Sequence, residues 1–134
     1  MPYWMFITPL FFLAACATQP IASSSATPVA PTLHAEANST TGRVTVTRDT
    51  GLLGSGVSIR VLVNGETSAR LNAGETVTFH LPQGEAILGA ETSFMSIRNL
   101  TEREAQVVPG QEIRFRISLD PGSGVIGLQR TMDR

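Results

Sequence analysis

The chain has 134 residues, a formal net charge of −1 and 42% hydrophobic residues. This length allows one small domain with a connecting segment, not two domains. A charge so close to zero gives no indication of nucleic acid or an anionic surface as a partner. Cys16 is the single cysteine, which excludes an internal disulfide framework.

The N-terminus carries a short apolar run, residues 5–12, that ends in Leu13-Ala14-Ala15-Cys16. A short hydrophobic segment followed by small residues is typical of a secretory signal peptide. Leu-Ala-Ala-Cys resembles the lipobox of bacterial lipoproteins. In that family the cysteine thiol takes a diacylglycerol, the signal is cut just before it, and the new N-terminus is acylated. The resemblance implies a signal peptide over residues 1–15 and lipidation at Cys16.

Two alternatives to this lipoprotein interpretation stay open, an uncleaved membrane helix and an incidental cysteine. The apolar run is shorter than the roughly 20 residues that a transmembrane helix needs. No Lys or Arg lies near Met1, which departs from the usual signal peptide. Ala17 stands where Asp resembles an inner-membrane retention signal, so the outer membrane is favoured. The covalent diacylglycerol and N-acyl chain on Cys16 are the only attached groups expected, and no cofactor is expected.

Residues 16–41 are rich in Ser, Thr, Ala and Pro and show no apolar periodicity. Such a segment buries too little apolar surface to offset the entropy of ordering it. We therefore predict a disordered tether that, when extended, holds the domain several nanometres from the bilayer. His34 lies in this tether and is predicted to be solvated rather than a metal ligand.

Residues 42–131 are predicted to form an all-β domain, a small antiparallel β-sandwich of about seven to eight strands. Alternating apolar and polar residues separated by turn residues carry this prediction. In the clearest run, 111–119, the apolar residues face inward while Arg114 and Arg116 face outward. The predicted strands cover residues 43–49, 57–63, 66–71, 75–81, 85–91, 111–119 and 125–129, and the short segments 94–98 and 105–108 are candidates for additional strands.

Turn signals join most of these strands. Asn64-Gly65 tolerates positive φ at both positions and predicts a type I′ hairpin, and hairpin connections predict antiparallel pairing. In the first strand, Thr45 and Thr47 are predicted to face outward. The segment 92–104 is less regular: we expect Phe94 and Ile97 to reach the core, and 99–104 to form an exposed loop.

The turn motifs Val61-Leu62-Val63-Asn64-Gly65-Glu66, Leu71-Asn72-Ala73-Gly74-Glu75 and Leu81-Pro82-Gln83-Gly84-Glu85 occur in order. This pattern resembles the DUF2846-type domain of bacterial lipoproteins and, more loosely, PEGA-type modules. It covers about residues 43–119. The resemblance implies a small prealbumin-like β-sandwich and supplies no catalytic residues.

Two features are candidates for an interaction site. Leu52 and Leu53 lie in a glycine-rich loop, where they either fold back on the core or form a small contact patch. Arg114 and Arg116 share an outward strand face, with Arg60 or Arg70 as candidate neighbours. Such an arginine stripe suits a carboxylate or a glycan, although alternating charge is also the common composition of a solvated strand that resists aggregation.

The sequence offers no catalytic set. His80 lies at an outward strand position and lacks an evident nucleophile and orienting carboxylate, so we predict a surface histidine. The carboxylates show no metal-ligand spacing. We therefore do not expect an enzyme and predict an outer-membrane-anchored periplasmic lipoprotein, a non-catalytic interaction or structural module. Its expected partners are the membrane, through the lipid, and an envelope protein or peptidoglycan. The alternative is a small-ligand or glycan binder that uses the arginine-bearing face.

Overall fold

Nine strands make up most of the computed structural model, which describes residues 19–51, 56–94, 96–120 and 123–132. No helix occurs in these ranges. The all-β prediction is confirmed. The strands are β1 (Thr27–Val29), β2 (Thr41–Arg48), β3 (Ile59–Val63), β4 (Glu66–Leu71), β5 (Glu75–Pro82), β6 (Gly84–Phe94), β7 (Ile97–Val107), β8 (Glu112–Leu119) and β9 (Ile126–Thr131).

The strands form two sheets. One has five strands in the order β1-β5-β2-β8-β9, and the other has four in the order β4-β3-β6-β7. Their apolar faces pack together, and because side chains along a strand alternate between the two faces of a sheet, alternate residues such as Val44 and Val46 of β2 enter this core. The largest fully buried side chains are Phe79, Ile59, Leu71, Leu81, Leu88, Ile117 and Leu128.

The pairing is not antiparallel throughout. β2 lies between β5 and β8, antiparallel to the first and parallel to the second, with Val44 opposite Phe79 and Ile113. Turn residues indicate only how neighbouring strands in the sequence pair. The β2–β8 pairing joins segments far apart in the chain, so hairpin signals could not reveal it.

The segment 92–104 is a continuation of two strands, not a loop. β6 and β7 form a hairpin of 11 residues on each side, with Ser96 at positive φ in its turn. Ile97 is 64% exposed, so the expectation that it reaches the core was wrong. The register between β6 and β3 ends with Glu91 opposite Arg60. The end of the hairpin therefore extends past the start of β3.

The predicted disorder of the tether is wrong for residues 19–41. β1 pairs in parallel with β5, and Ala26 is buried. Beyond β1, Thr32 donates its backbone N–H to the carbonyl of Ser68 in β4 at 2.8 Å, and His80 of β5 donates to the carbonyl of His34 at 2.8 Å. The segment thus covers one edge of each sheet, at β5 and at β4. Backbone hydrogen bonds, which are independent of side-chain hydrophobicity, compensate for its polar composition.

A buried arginine links the two sheets at the end of β2. Arg48 is 4% exposed, and its guanidinium donates to the carbonyl oxygens of Val57 and Leu71, the latter at 2.9 Å. Burial lowers the pKa of Arg48, and the charge of Glu75 partly opposes this effect. Arg48 thus supplies hydrogen bonds to carbonyl groups at the end of β4 and just before β3, and it links the two sheets at this end.

The chain is closely packed around Gly42, at the opposite end of β2. A Cβ at this position would lie 2.5 Å from the carbonyl oxygen of Val108 and 2.7 Å from Cγ1 of Val107. We expect Gly42→Ala to lower the free energy of unfolding by about 1–3 kcal/mol because backbone must shift. The matched control is Gly56→Ala, where no atom lies within 4 Å. Urea unfolding followed by circular dichroism measures both, and equal effects would contradict this account.

Candidate functional site

The outward face of the five-stranded sheet is polar across β5, β2 and β8. Side chains on this side belong to alternate residues of each strand, and the register places them in rows. We call this surface the arginine face and define it by Arg43, Arg114 and Arg116. The other polar residues of the face are Thr45, Thr47, Asp49, Thr76, Thr78, His80 and Glu112.

Threonine pairs form the floor of the arginine face. Thr45 and Thr78 are joined through their hydroxyl groups at 3.0 Å, and Thr47 and Thr76 at 2.7 Å. Thr45 is 4% exposed and Thr47 is 2% exposed, so both point outward as predicted but are not solvated. Because β2 has a strand on each side, the longer side chains of its neighbours cover these short ones.

Arg116 is held by Asp49. The Nε of Arg116 donates to both carboxylate oxygens of Asp49, at 2.7 and 2.9 Å. The Asp49 side chain is 1% exposed, and its backbone N–H donates to the carbonyl of Ile117 at 2.9 Å. An aspartate so deeply buried requires a charged partner. Arg116 therefore has a structural role in this sheet.

Glu112 organises the other two arginines. Its carboxylate accepts hydrogen bonds from Arg43 at 2.9 Å, from Arg114 at 2.8 Å and from the Thr45 hydroxyl at 2.8 Å. Partial burial acts to raise the pKa of Glu112, but the hydrogen bonds from Thr45, Arg43 and Arg114 outweigh it and hold this pKa below its usual value. The arginine face is thus a network of alternating charges, not a strip of free cations.

Arg60 and Arg70 do not lie beside Arg114 and Arg116, because β3 and β4 belong to the other sheet. Arg60 instead forms an ion pair with Glu91, which also accepts a hydrogen bond from Arg98 at 2.7 Å. Glu91 has a side chain only 2% exposed. The hydrogen bond from Arg98 is the largest influence on its pKa, which lies below the usual value. The predicted neighbours were wrong because turn signals do not assign strands to sheets.

A pocket of about 220 Å³ lies where β8 begins and β9 ends. Its lining comes from both faces of the sheet, because Arg114 lies opposite Thr131 and Arg130 lies opposite the core residue Phe115. Arg114 and Arg130 bring two cationic groups to this pocket, and Glu112 brings one carboxylate. Ile113, Thr131 and Met132 complete the lining. The combination suits a small molecule with a carboxylate at one end and hydroxyl groups at the other. The sequence pattern predicts Arg114 as a candidate residue but gives no indication of Arg130, which comes to this pocket only through the β8–β9 pairing.

His80 lies on the same face as Arg43, its register partner in β2, and it is half-buried. Its backbone N–H donates a hydrogen bond to the carbonyl of His34. In the part of the chain that the structure describes, no group of three or more His, Cys, Asp and Glu residues is placed to hold a metal ion.

Several predicted site residues lie outside the described ranges. These are the lipobox residues Leu13, Ala14 and Ala15, the lipidation residue Cys16, and the loop residues Leu52 and Leu53. The side chain of Phe94 is likewise outside the description. Their predicted roles stay predictions.

The outer edge of β7 is a second candidate site. β7 has 11 residues and pairs with β6 on one side, and it stands last in its sheet, so no described strand pairs with its other side. Residues 102–104, predicted as an exposed turn, lie within this strand and are exposed. An unpaired edge of this length offers backbone groups to an additional strand. This edge was not predicted, because residues 99–104, about half of β7, were expected to form an exposed loop.

Comparison with known proteins adds no assignment. No protein-family model matches the chain, and no curated protein and no solved structure is significantly similar to it. Among the residues described, no helix is long and apolar enough to cross a membrane. The resemblance to the DUF2846-type domain therefore stays a prediction.

The low pKa of Glu112 predicts a pH dependence of stability. A carboxyl whose pKa is lower in the folded chain stabilises it fully above the unfolded value, about 4.3, and loses this contribution as the pH falls through the folded value. We expect the free energy of unfolding to fall less between pH 6 and pH 3 for Glu112→Gln than for the wild type. Urea unfolding at each pH checks this, with exposed Glu104→Gln as the control that keeps the wild-type slope.

Proposed function

We propose that the chain is a lipid-anchored, non-catalytic interaction module of the bacterial cell envelope, attached to a membrane through acyl chains on Cys16. The apolar run at residues 5–12 and the lipobox-like Leu13-Ala14-Ala15-Cys16 support the anchor. Ala17 after the cysteine favours the outer membrane, with the domain in the periplasm. The DUF2846-like turn motifs agree with a lipoprotein domain that carries no catalytic residues.

The outer edge of β7 is the observation that carries the interaction role. A partner segment that adds a strand to this edge forms backbone hydrogen bonds along 11 residues, and side-chain contacts then select the sequence. β7 is the longest edge strand of the described sandwich. The three other edge strands, β1, β4 and β9, have 3, 6 and 6 residues.

Charges along β7 give the edge selectivity. Glu102, Arg103 and Glu104 are exposed on it, and the guanidinium of Arg103 donates to the carbonyl of Glu102 at 2.8 Å. Edge charges discourage pairing with unrelated apolar strands. A partner with complementary charges, from an envelope protein, satisfies both the backbone and these side chains.

The pocket at Arg114 and Arg130 favours one alternative, a small-ligand or glycan binder. A carboxylate of a uronic acid or of a peptidoglycan peptide suits a pocket whose lining includes two arginines. This alternative ranks second because Arg114 already donates to Glu112. An anionic ligand must therefore compete with an internal carboxylate.

The anchor is tested by replacing the lipidated residue. In a bacterium with two membranes, the wild-type chain is expected to incorporate radioactive palmitate and to fractionate with the outer membrane. Cys16→Ser should incorporate none and leave the membrane fraction, while Ser25→Cys in the Cys16→Ser background should not restore labelling. Palmitate incorporation into Cys16→Ser would contradict the proposed anchor.

The interaction edge is tested by site-specific photo-crosslinking in the same cells. We expect a photoreactive p-benzoylphenylalanine at Glu104, on the β7 edge, to give one discrete adduct. The same residue at Arg70, which is exposed on β4 at the opposite edge of the sheet, should give none. Equal labelling at both positions would contradict edge pairing. No adduct at either, together with a higher Tm in the presence of a uronic acid, would favour the alternative.

A further inference from the structure

One end of the sandwich is defined by the strand directions. β2 runs towards it and ends at Arg48, β8 runs parallel to β2, and β5 and β9 begin there. In the second sheet the contact of Arg48 with Val57 and Leu71 places the start of β3 and the end of β4 at the same end. The turn of the β6–β7 hairpin also lies at this end, because β6 pairs antiparallel with β3 and its last residues are next to the start of β3. We call this end the Thr50 pole.

The chain from Cys16 enters the fold at the Thr50 pole. Gln19 donates its backbone N–H to the carbonyl of Thr50 at 2.7 Å, and Thr50 returns a backbone hydrogen bond at 3.0 Å. The Thr50 hydroxyl also donates to the Gln19 carbonyl at 3.1 Å. Three hydrogen bonds therefore attach the first described residue of the chain to this pole.

The reach of the intervening chain is short. Gln19 follows Cys16 by three positions, and three residues span about 10 Å when fully extended. An acylated Cys16 lies at the membrane surface. The Thr50 pole must then lie within roughly that distance of the bilayer, in place of the several nanometres that a disordered tether would allow.

Apolar side chains are exposed at this pole. Ile97, at the turn of the β6–β7 hairpin, is 64% exposed, and Val125, just before β9, is 56% exposed. Val108 and Met132 are also exposed but lie at the opposite end, where β7 and β9 finish. Aliphatic side chains at strand-turn tips are suited to the boundary between headgroups and acyl chains.

We infer that the lipidated protein lies on the bilayer in one orientation, with the Thr50 pole facing the membrane and with Ile97 and Val125 in contact with lipid. This inference rests on the proposed lipidation of Cys16. The acyl chains supply the affinity, and the short link with the apolar tips sets the orientation. The 8 residues of β2 then place the pocket at Arg114 and Arg130 about 25 Å further from the membrane, open to the periplasm.

Depth-dependent fluorescence quenching tests this orientation in the full lipidated chain. Cys16 is the single cysteine, so once it is acylated, Ile97→Cys or Val125→Cys supplies the only free thiol for a bimane label. The matched control is Val108→Cys, also exposed but at the opposite end. The proteins are reconstituted in phosphatidylethanolamine and phosphatidylglycerol vesicles that contain lipids spin-labelled near the headgroup.

We expect the spin-labelled lipids to quench bimane several-fold more at positions 97 and 125 than at position 108. Equal quenching at all three positions, or stronger quenching at 108, would overturn the orientation while leaving the lipid anchor intact. Failure of the anchor is recognised separately: an unlipidated Cys16 takes up a second equivalent of bimane, and the protein stays off the vesicles. That outcome would overturn both the proposed function and the orientation.

Discussion

The structure depends on the placement of β2 between β5 and β8. Val44 and Val46 point from this strand into the core, while Thr45 and Thr47 point to the arginine face and are covered by its longer side chains. At the end of the strand, Arg48 donates hydrogen bonds to the carbonyl of Leu71 in the second sheet and to that of Val57, just before β3. One strand therefore contributes to the core, to the polar face and to the alignment of the sheets. Displacing β2 would disrupt all three together.

The arginine face shows why charge on a sheet is not by itself a binding site. Each of its three arginines has a carboxylate partner within the protein: Glu112 for Arg43 and Arg114, and Asp49 for Arg116. Such partially buried networks stabilise mainly by avoiding unpaired charges. The two proposed binding sites therefore lie away from the centre of this face, at the pocket beside β9 and at the outer edge of β7.

The N-terminal segment changes how the proposed anchor acts. A polar segment of low hydrophobicity can be ordered when it covers strand edges whose backbone groups need partners. The parallel pairing of β1 with β5 and the bonds from Thr32 to Ser68 and from Gln19 to Thr50 do this here. A lipid attached to Cys16 would thus be joined to the folded sandwich through a short link, which in the proposed arrangement couples the orientation of the sandwich to the membrane.

The sequence by itself determined the all-β class, the positions of most strands and the Asn64-Gly65 turn, because alternation and positive φ are local properties. It also determined that Arg114 and Arg116 face outward. Tertiary structure alone decided the parallel β2–β8 pairing, the structured conformation of residues 19–41, the burial of Asp49 and Glu91, and the extent of β7. Each of these depends on backbone or charge partners supplied by segments far away in the chain, and no local pattern encodes such partners.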